Sequence, residues 1–449
     1  MVVRHTCGLQ PNRHHFVAQR CHPVVMLDHD RLSAIRVDDL PPTRRTLRVA
    51  VVTETYPPEV NGVSLTTARV VQGLRDRDHH VRLVRPRQNS DDSAGTDALG
   101  LNEVLLRGLP IPRYPHLRMG LPAKRALVDH WSRHRPDLVH IVTEGPLGWS
   151  ALQAAIRLKL PVCSDFRTNF HAYSRHYGMG WLHKPIVSYL RKFHNRSQFT
   201  MVPTEALSRE LQEYGFRRLR VVARGVDTVK FDPAKRSAEL RARWGCSDNT
   251  RVALVVGRLA PEKNLSLFLD ATEAMRRVAP DLKVVLVGDG PAARELQARS
   301  PTSIFAGAQS GEALSAHYAS ADYFIFPSLT ETYGNVVPEA MASGLAVLAY
   351  DCAAAGQLIR HRENGLLAPV GRADRFVEMA AQLASDPLSA VSMAANARAS
   401  AESMSWERIV SQVEATYLAS IESFPADLAG SRSRNGYTGS RPSANGIRP

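Results

Sequence analysis

The chain has 449 residues, of which 44% are hydrophobic and 22% are charged, and its formal net charge is +14. This composition is that of a soluble globular protein, and the length favours two domains that each bury a core of their own. Because no apolar run of about eighteen residues is present, we expect no membrane-spanning helix. The sequence also starts without the apolar segment and small-residue cleavage site of an export signal, so we expect a cytoplasmic protein.

Charge and cysteine usage narrow the set of partners. The 57 Lys and Arg against 43 Asp and Glu favour an anionic partner. We find no helix-turn-helix, zinc-finger or RNP-like pattern, so we expect no nucleic acid. The five cysteines are scattered and form no CxxC pair, which argues against a disulfide framework or a zinc site and favours free thiols in a reducing compartment.

Two stretches, residues 107–135 and 175–196, are rich in basic residues. Aromatic residues are interleaved with them, namely Trp131, Tyr177, Trp181 and Tyr189. Basic residues beside aromatic ones are typical of peripheral contact with an anionic membrane, so we expect a position on the inner face of the cell membrane. The alternative is a solvated basic face, which is common in basic proteins.

The most informative stretch is FPSLTETYGNVVPEAMASGLAVLAYD, residues 326–351. The apolar run over 323–327 predicts a buried strand, a helix follows over 336–342, and 345–350 is a second strand. This order is typical of a parallel α/β sheet. Such sheets bind ligands at the carboxyl ends of their strands, where the loop before the helix would lie.

Two carboxylates, Glu331 and Glu339, flank this loop with seven residues between them. The first lies in the loop and the second in the first turns of the helix, whose N-terminus supplies free N–H groups and positive partial charge. The arrangement suits a ligand that is phosphorylated and rich in hydroxyl groups. Alternatively, Glu331 is a solvated loop residue and Glu339 only complements the helix dipole.

This stretch also resembles a known signature. The E-x7-E pattern, with PEAMA at residues 338–342 and Gly344, is similar to that of retaining family-4 glycosyltransferases with the GT-B fold. The resemblance extends over residues 46 to about 422 and implies an α/β fold of two Rossmann-like, doubly wound domains that face each other across a cleft. It implies that Glu339 accepts from the ribose hydroxyls of a nucleotide sugar and Glu331 from the sugar, while the amides of Gly334 and Asn335 reach the sugar or the phosphate.

In the N-terminal half, residues 47–52 predict the first strand and 65–74 a helix, with Gly62 in the loop between them. A glycine at such a turn lets the backbone approach a phosphate, although any tight turn would use one. The resemblance implies that this glycine loop contacts the donor phosphates and the acceptor.

The segment DFRTNFHAY, residues 165–173, departs from the family pattern. Related enzymes carry a histidine beside the transferred sugar where this chain has Arg167. Arginine can stabilise phosphate charge, but it cannot act as a general acid or base near neutral pH. His171 can supply the imidazole instead, or serve as a structural or acceptor-contact residue. The segment resembles GDP-mannose-dependent enzymes that transfer mannose or related sugars to glycolipids.

The second half restarts the pattern with a strand over 252–256 and the loop GRLAPEKN. Arg258 and Lys263 lie five residues apart around a turn that can bring two cations onto one diphosphate, although an ordinary basic loop has the same composition. The resemblance implies that they clamp the donor diphosphate and stabilise the leaving group without a metal. Gly288, in the GDGP turn after the next strand, is a further candidate near the nucleotide, or part of a plain strand-to-helix turn.

We therefore predict a disordered N-terminal extension at 1–45, an acceptor domain at 46–226, a nucleotide-sugar donor domain at 227–404, a crossover helix at 405–424 and a disordered tail at 425–449.

The resulting hypothesis is a retaining, metal-independent glycosyltransferase without a cofactor. It moves a hexose, foremost mannose from GDP-mannose, to a lipid-linked or glycan acceptor at the membrane surface. Catalysis is assigned to Glu331, Arg258 and Lys263, together with Arg167 or His171. The alternatives are glucosyl or sulfoquinovosyl transfer from a UDP-sugar, a GT-B sugar-nucleotide epimerase or phosphorylase, and an inactive GT-B scaffold that binds anionic membranes.

Overall fold

The computed structural model of the chain describes residues 45–59, 61–88, 92, 101–111, 114–167 and 183–433. His171 lies outside the described residues, as does the predicted N-terminal extension apart from Arg45. No helix in the described part of the chain combines the length and the apolar composition that crossing a membrane requires.

The N-terminal half forms a parallel sheet and a separate hairpin. Its strands are β1 Arg48–Val52, β2 His80–Pro86, β3 Asn102–Leu106, β4 Gly108–Ile111, β5 Tyr114–Gly120, β6 Leu138–Ile141, β7 Val162–Asp165, β8 Phe199–Val202 and β9 Leu219–Val221. Within the described residues, seven of them form one sheet in the order β3-β2-β1-β6-β7-β8-β9, and every pairing in it is parallel. Strands β4 and β5 pair antiparallel.

Helices cover this sheet. They are α1 Gly62–Arg75, α2 Lys124–Arg133, α3 Pro146–Leu158, α4 His183–His194 and α5 Glu205–Glu213. Helix α1 begins three residues before the predicted start, because Asn61 caps it: Oδ1 of Asn61 accepts from the amides of Val63 at 3.1 Å and Ser64 at 2.9 Å. Gly62 is therefore the first helical residue rather than a loop residue.

The C-terminal half repeats the architecture. Its strands are β10 Val252–Val256, β11 Lys283–Val287, β12 Ile304–Phe305, β13 Tyr323–Phe326, β14 Ala346–Tyr350 and β15 Leu366–Ala368. Its helices are α6 Ala238–Arg243, α7 Leu265–Val278, α8 Ala293–Arg299, α9 Gly311–Ala319, α10 Val336–Ala342, α11 Ala353–Leu358, α12 Ala373–Ser385 and α13 Pro387–Glu402. The strands form a parallel sheet in the order β12-β11-β10-β13-β14-β15. The predicted α/β fold with two Rossmann-like domains is confirmed.

Strand order reverses between β1 and β6 in the first sheet and between β10 and β13 in the second. In open parallel sheets, the loops at the carboxyl ends of the strands diverge at such a reversal and leave a crevice for a ligand. The loops after β10 and β13 carry Lys263 and Glu331. The chain order alone therefore places the predicted clamp and the predicted sugar contact side by side.

The last helix, α14 Trp406–Ser433, packs on the N-terminal domain. Its Val410, Val413 and Tyr417 are buried in one cluster with Leu47 and other residues of the first sheet. A Cβ on Gly73 of α1 would lie 2.5 Å from Cγ2 of Val410, so this glycine lets the two helices approach closely.

Helix α14 also extends into the stretch from residue 425 that the sequence predicted to be a disordered tail. The helix formers Ala426, Leu428 and Ala429 follow Pro425 and support this continuation. Pro425 and the Gly, Ser and Arg residues beyond it are the features that favour disorder in the sequence.

Candidate active site

Loops from the carboxyl ends of both sheets contact each other. Thr332 donates from Oγ1 to the carbonyl oxygen of Arg167 at 3.4 Å. Arg224 donates from Nη1 to Oδ1 of Asn335 at 3.1 Å, and the hydroxyl of Tyr333 donates to the carbonyl oxygen of Arg224 at 3.2 Å. We call the region between these loops the cleft. It is where the predicted site residues of the two domains meet.

The C-terminal side of the cleft contains an ion pair between two predicted site residues. Lys263 donates from Nζ to Oε1 of Glu331, and Oγ of Ser328 donates to the same oxygen at 2.9 Å. The two charged side chains are 22% and 16% exposed. Thr330 ties the loops together by donating to the carbonyl oxygen of Glu262 at 2.9 Å. The structure therefore brings Lys263 and Glu331 together, and it adds Ser328, which the sequence did not indicate.

Arg258 lies at the start of the same turn. Its Nη1 is 3.7 Å from Oε1 of Glu262, and 47% of its side chain is exposed. Exposed ion pairs of this kind hold a side chain only weakly. Arg258 is thus the more accessible of the two predicted clamp cations, and Lys263 is the more buried and the more tightly paired.

Glu339 lies in the first turns of α10 and is half-buried. The hydroxyl of Tyr318 donates to its Oε2 at 2.9 Å. Burial raises the pKa of Glu339 to about 7, although the Tyr318 hydrogen bond and the charge of Lys230 both lower it. This predicted ribose contact is therefore a carboxyl group that titrates near neutral pH.

Three residues predicted to bind the donor through their backbone amides are Gly62, Gly334 and Asn335. A Cβ on Gly62 would be 3.5 Å from Nη1 of Arg224 and 3.6 Å from Nδ2 of Asn335, so α1 begins against both residues. Gly334 has a φ of +89°, which favours glycine, and a Cβ there would be 3.3 Å from Cγ of Glu331. The structure thus places Gly62, Gly334 and Asn335 in the cleft.

Gly288 lies in tightly packed backbone. A Cβ on it would lie 1.8 Å from the carbonyl oxygen of Gly257, and its own amide donates to the carbonyl oxygen of Gly307 at 2.8 Å. Its φ of +141° is also one that side chains disfavour. Packing of the loops after β10 and β11 therefore accounts for this glycine, and its amide already has an acceptor.

Arg167, at the carboxyl end of β7, is held by a buried network. Its Nε and Nη2 both donate to Oδ2 of Asp165, and its side chain is 12% exposed. Nε2 of His140 lies 3.3 Å from the same oxygen, and the hydroxyl of Tyr417 lies 2.8 Å from Nδ1 of His140. Burial raises the pKa of Asp165, but Arg167 and His140 outweigh it and hold that pKa well below its usual range. Arg167 is thus fixed and charge-paired.

The sequence patterns did not indicate Arg224. The structure buries this side chain to 7% exposure in the cleft, with its guanidinium 5.3 Å from the ring centroid of Tyr333. The available signal was its position, since residue 224 follows strand β9 at the carboxyl end of the sheet. Asp165, at the end of β7, could have been found in the same way.

A separate cavity of about 770 Å³ lies at the amino ends of β1 and β2, lined by Arg48, His80, Arg82 and Arg135 among others. It contains none of the motif residues. Across the described ranges, no three His, Cys, Asp or Glu side chains are grouped as metal ligands.

Two family models match the chain in the same order as its two sheets. Residues 60–230 match the model described as "Glycosyltransferase Family 4", and residues 250–386 match "Glycosyl transferases group 1". The first match spans the glycine of α1 and Arg167, and the second spans the loops of Lys263 and Glu331.

Curated relatives are similar over most of the chain. A GDP-mannose-dependent alpha-mannosyltransferase of Corynebacterium glutamicum is 31% identical over 82% of this chain and 88% of its own length. The protein of the same name from Mycobacterium tuberculosis is 35% identical over 72% of this chain and 84% of its own length. The sulfoquinovosyl transferase SQD2 of Arabidopsis thaliana is 29% identical, over 71% of this chain and 62% of its own length.

Among solved structures, Anabaena Alr3699/HepE, crystallised with UDP and glucose, superimposes with a TM-score of 0.65. It is 19% identical, and the match covers 82% of this chain and 99% of that chain. At that identity the likeness concerns the fold, which is the two-domain GT-B fold. The chain therefore belongs to the family-4 glycosyltransferases.

Proposed function

We propose that this glycosyltransferase transfers mannose from GDP-mannose to a lipid-linked or glycan acceptor, with retention of the anomeric configuration. The observation that carries the proposal is the contact between Lys263 and Glu331 across the loops after β10 and β13, with Glu339 in the helix α10 that follows the second of these loops. The choice of donor is supported by the two alpha-mannosyltransferase relatives, whose names state GDP-mannose dependence.

In this proposal the nucleotide sugar lies along the loops after β10 and β13. Glu339 accepts from the ribose hydroxyls, and the charges of Arg258 and Lys263 meet the diphosphate. Because Lys263 pairs with Glu331, a diphosphate competes with that carboxylate for the ammonium group. Binding of the donor would then free the oxygen of Glu331 to accept from the sugar hydroxyls.

The chemistry rests on the leaving group rather than on a protein nucleophile. The charges of Arg258 and Lys263 stabilise the charge that develops on the departing diphosphate, and such stabilisation is usually the largest single contribution to catalysis. Arg167 supplies a third cation, held in place by Asp165. Substitution on the same face of the sugar, through an ion-pair-like state, retains the configuration and needs no metal.

Helix α4 supports a peripheral position on an anionic membrane. Its Lys184, Tyr189, Arg191 and Lys192 are exposed, while Val187, Leu190 and Phe193 are buried. Basic residues around an exposed aromatic ring suit an anionic lipid surface. Flotation with phosphatidylglycerol vesicles at low and high salt tests this part: Lys184→Glu with Lys192→Glu should reduce binding, and equal binding by the double variant would contradict it.

Thermal unfolding of the full chain with added EDTA tests the donor. GDP-mannose, UDP-glucose, UDP-sulfoquinovose, GDP and UDP are compared, since a ligand at about 100 times its Kd stabilises the folded state by about 2.7 kcal/mol. We expect GDP and GDP-mannose to raise the melting temperature. NMR of the product from the transfer reaction should then show the anomeric configuration of the donor.

A second candidate is transfer from a UDP-sugar, favoured by the similarity to the sulfoquinovosyl transferase SQD2. Selective stabilisation by UDP and one UDP-sugar would replace the first proposal by this one. If no nucleotide changes the melting temperature, the inactive scaffold becomes the better account.

A further inference from the structure

We propose that Arg224 is a binding residue for an anionic oxygen group of a ligand, a phosphate foremost, in the cleft between Gly62 and Asn335. The inference rests on the proposed function for the identity of the ligand, but the site itself follows from the burial and the contacts of Arg224.

Arg224 is a buried cation that lacks a matching anion. Its side chain makes one hydrogen bond among the described residues, from Nη1 to the neutral amide oxygen of Asn335. Its Nε is buried and has no hydrogen-bond partner in that part of the chain. No carboxylate oxygen of the described residues lies within 4.0 Å of its guanidinium nitrogens. A guanidinium presents five donors, so most of its hydrogen-bonding capacity is unused.

The surroundings of Arg224 increase this imbalance. Arg167 is close enough for its charge to act on Arg224, and the two nearby carboxylates are already engaged, Asp165 with Arg167 and Glu331 with Lys263. Burial lowers the pKa of Arg224 to about 9, and the charge of Arg167 lowers it as well. The group therefore remains charged at neutral pH. A buried charge without an anion is unfavourable in the free protein and becomes favourable once an anion binds.

The position of Arg224 fits a phosphate. Its Nη1 faces Gly62, the first residue of the 14-residue helix α1, and a Cβ there would lie 3.5 Å from this nitrogen. Asn61 already caps the amides of Val63 and Ser64, but the N-terminus of the helix still carries positive partial charge, which attracts the same kind of anion. The absent side chain at Gly62 leaves that approach open. Planar guanidinium groups bind phosphate through two parallel hydrogen bonds.

The structural contacts of Arg224 use only part of the guanidinium. The link between Arg224 and Tyr333 runs from the tyrosine hydroxyl to the backbone carbonyl, which any residue at 224 would supply. The guanidinium also lies over the ring of Tyr333, 5.3 Å from the ring centroid, and this cation–π contact uses the face of the group rather than its N–H donors. Together with the hydrogen bond to Asn335 it leaves Nε without an acceptor among the described residues, and an anionic ligand would supply one.

The phosphate can come from two sources, the diphosphate of the donor or an anionic group of the acceptor. We would compare the full-length wild type with Arg224→Met and Arg224→Lys, and use Arg241→Met as the matched control. Arg241 is also buried, at 8% exposure, but it donates to the carbonyl oxygens of Ser320 at 3.0 Å and Thr250 at 2.6 Å and pairs with Asp322.

The first measurement is the melting temperature without ligand. Removing an unpaired buried charge should leave Arg224→Met at least as stable as the wild type, whereas Arg241→Met should melt at a lower temperature. The second measurement is calorimetric titration with inorganic pyrophosphate, GDP and UDP. We expect Arg224→Met to lose about 10- to 100-fold in affinity for pyrophosphate or the bound nucleotide if the donor is the source. Arg224→Lys should keep part of the affinity, because it keeps the positive charge.

The third measurement is titration of the nucleotide-saturated protein with inorganic phosphate. Binding by the wild type but not by Arg224→Met would assign the site to the acceptor. Equal affinity of the wild type and Arg224→Met for all these probes, or a loss of stability in Arg224→Met like that of Arg241→Met, would overturn the inference. If the wild type binds pyrophosphate better than Arg224→Met but binds neither nucleotide, the inference stands and the proposed function fails.

Discussion

Lys263 and Glu331 pair across two loops of the C-terminal sheet, with the ammonium donating to Oε1 of the carboxylate. They are 68 residues apart in the chain. Two residues that the sequence assigned to different parts of one substrate, the diphosphate and the sugar, therefore share a hydrogen bond in the folded protein.

Lys263→Met should lower kcat much more than it weakens donor binding. The ammonium is proposed to act on charge that develops only as the diphosphate leaves, and removing one such group costs about 10²- to 10³-fold in kcat. Steady-state kinetics with the donor, together with titration of the parent nucleotide, separate the two effects. Lys283→Met, at the start of β11, is a control outside the cleft. A variant with a raised KM for the donor but wild-type kcat at saturation would contradict the role of Lys263.

Donor affinity should depend on pH through Glu339. The carboxyl is protonated below its pKa of about 7, and a protonated carboxyl accepts poorly from the ribose hydroxyls, so affinity should fall as the pH drops through about 7. Glu339→Gln should bind the nucleotide weakly and without this pH dependence. Tyr318→Phe removes a hydrogen bond that lowers the pKa of Glu339. The midpoint of the pH dependence of nucleotide affinity should therefore move to higher pH in this variant. Nucleotide titrations across the pH range check both variants, and an unchanged midpoint in Tyr318→Phe would contradict the assignment.

The same carboxyl should affect stability with the opposite sign. Its folded pKa is raised above the unfolded value of 4.5, so the folded state holds the proton more tightly. Its contribution to stability is therefore fully present below the unfolded pKa and is lost as the pH rises to about 7. In denaturant titrations Glu339→Gln should lose less stability than the wild type over this interval.

Asp165→Asn should impair catalysis by releasing Arg167. An amide keeps the shape of the carboxylate but loses the charge that holds the guanidinium, and it leaves His140 without an anionic neighbour. We expect kcat to fall about tenfold or more and the free energy of unfolding to fall by about 3–5 kcal/mol, as when one partner of a buried ion pair is removed. Arg167→Lys keeps the positive charge but loses the planar guanidinium, so its kcat shows whether the charge alone is sufficient. If Asp165→Asn is as active as the wild type, Arg167 does not need this support.

Gly288→Ala should be strongly destabilising, because the new methyl group would meet the carbonyl oxygen of Gly257 at 1.8 Å. Overpacking and an unfavourable φ each cost about 1–3 kcal/mol. Gly307→Ala is the matched control, since its φ is +69° and a Cβ there would have no neighbour within 4 Å. It should lose only about 1–2 kcal/mol. Thermal unfolding compares the stability of the two variants. An equal loss of stability would show that the unfavourable φ alone, and not the clash with Gly257, causes the destabilisation.

The elements that the sequence predicted well are those in which local pattern and burial coincide. Strand β10 begins and ends at the predicted residues, 252 and 256, because all five of its side chains are apolar and buried. Helix α4 was not predicted, although its Val187 and Leu190 are buried. Its many basic residues obscured the apolar face, and the same is true of α2, where Leu127 and Trp131 are buried.

The sequence by itself determined the fold class, the family signature and the candidate residues Glu331, Glu339, Arg258 and Lys263, because each depends on the order of residues within one short segment. Tertiary structure decided what these residues contact. The pairing of Lys263 with Glu331 and the burial of Arg224 between the domains join residues far apart in the chain, and such contacts depend on how loops of two sheets meet. The pattern of residues within one segment does not show which loops come into contact, because side chains at the carboxyl edge of a sheet are positioned by residues that are distant in the chain.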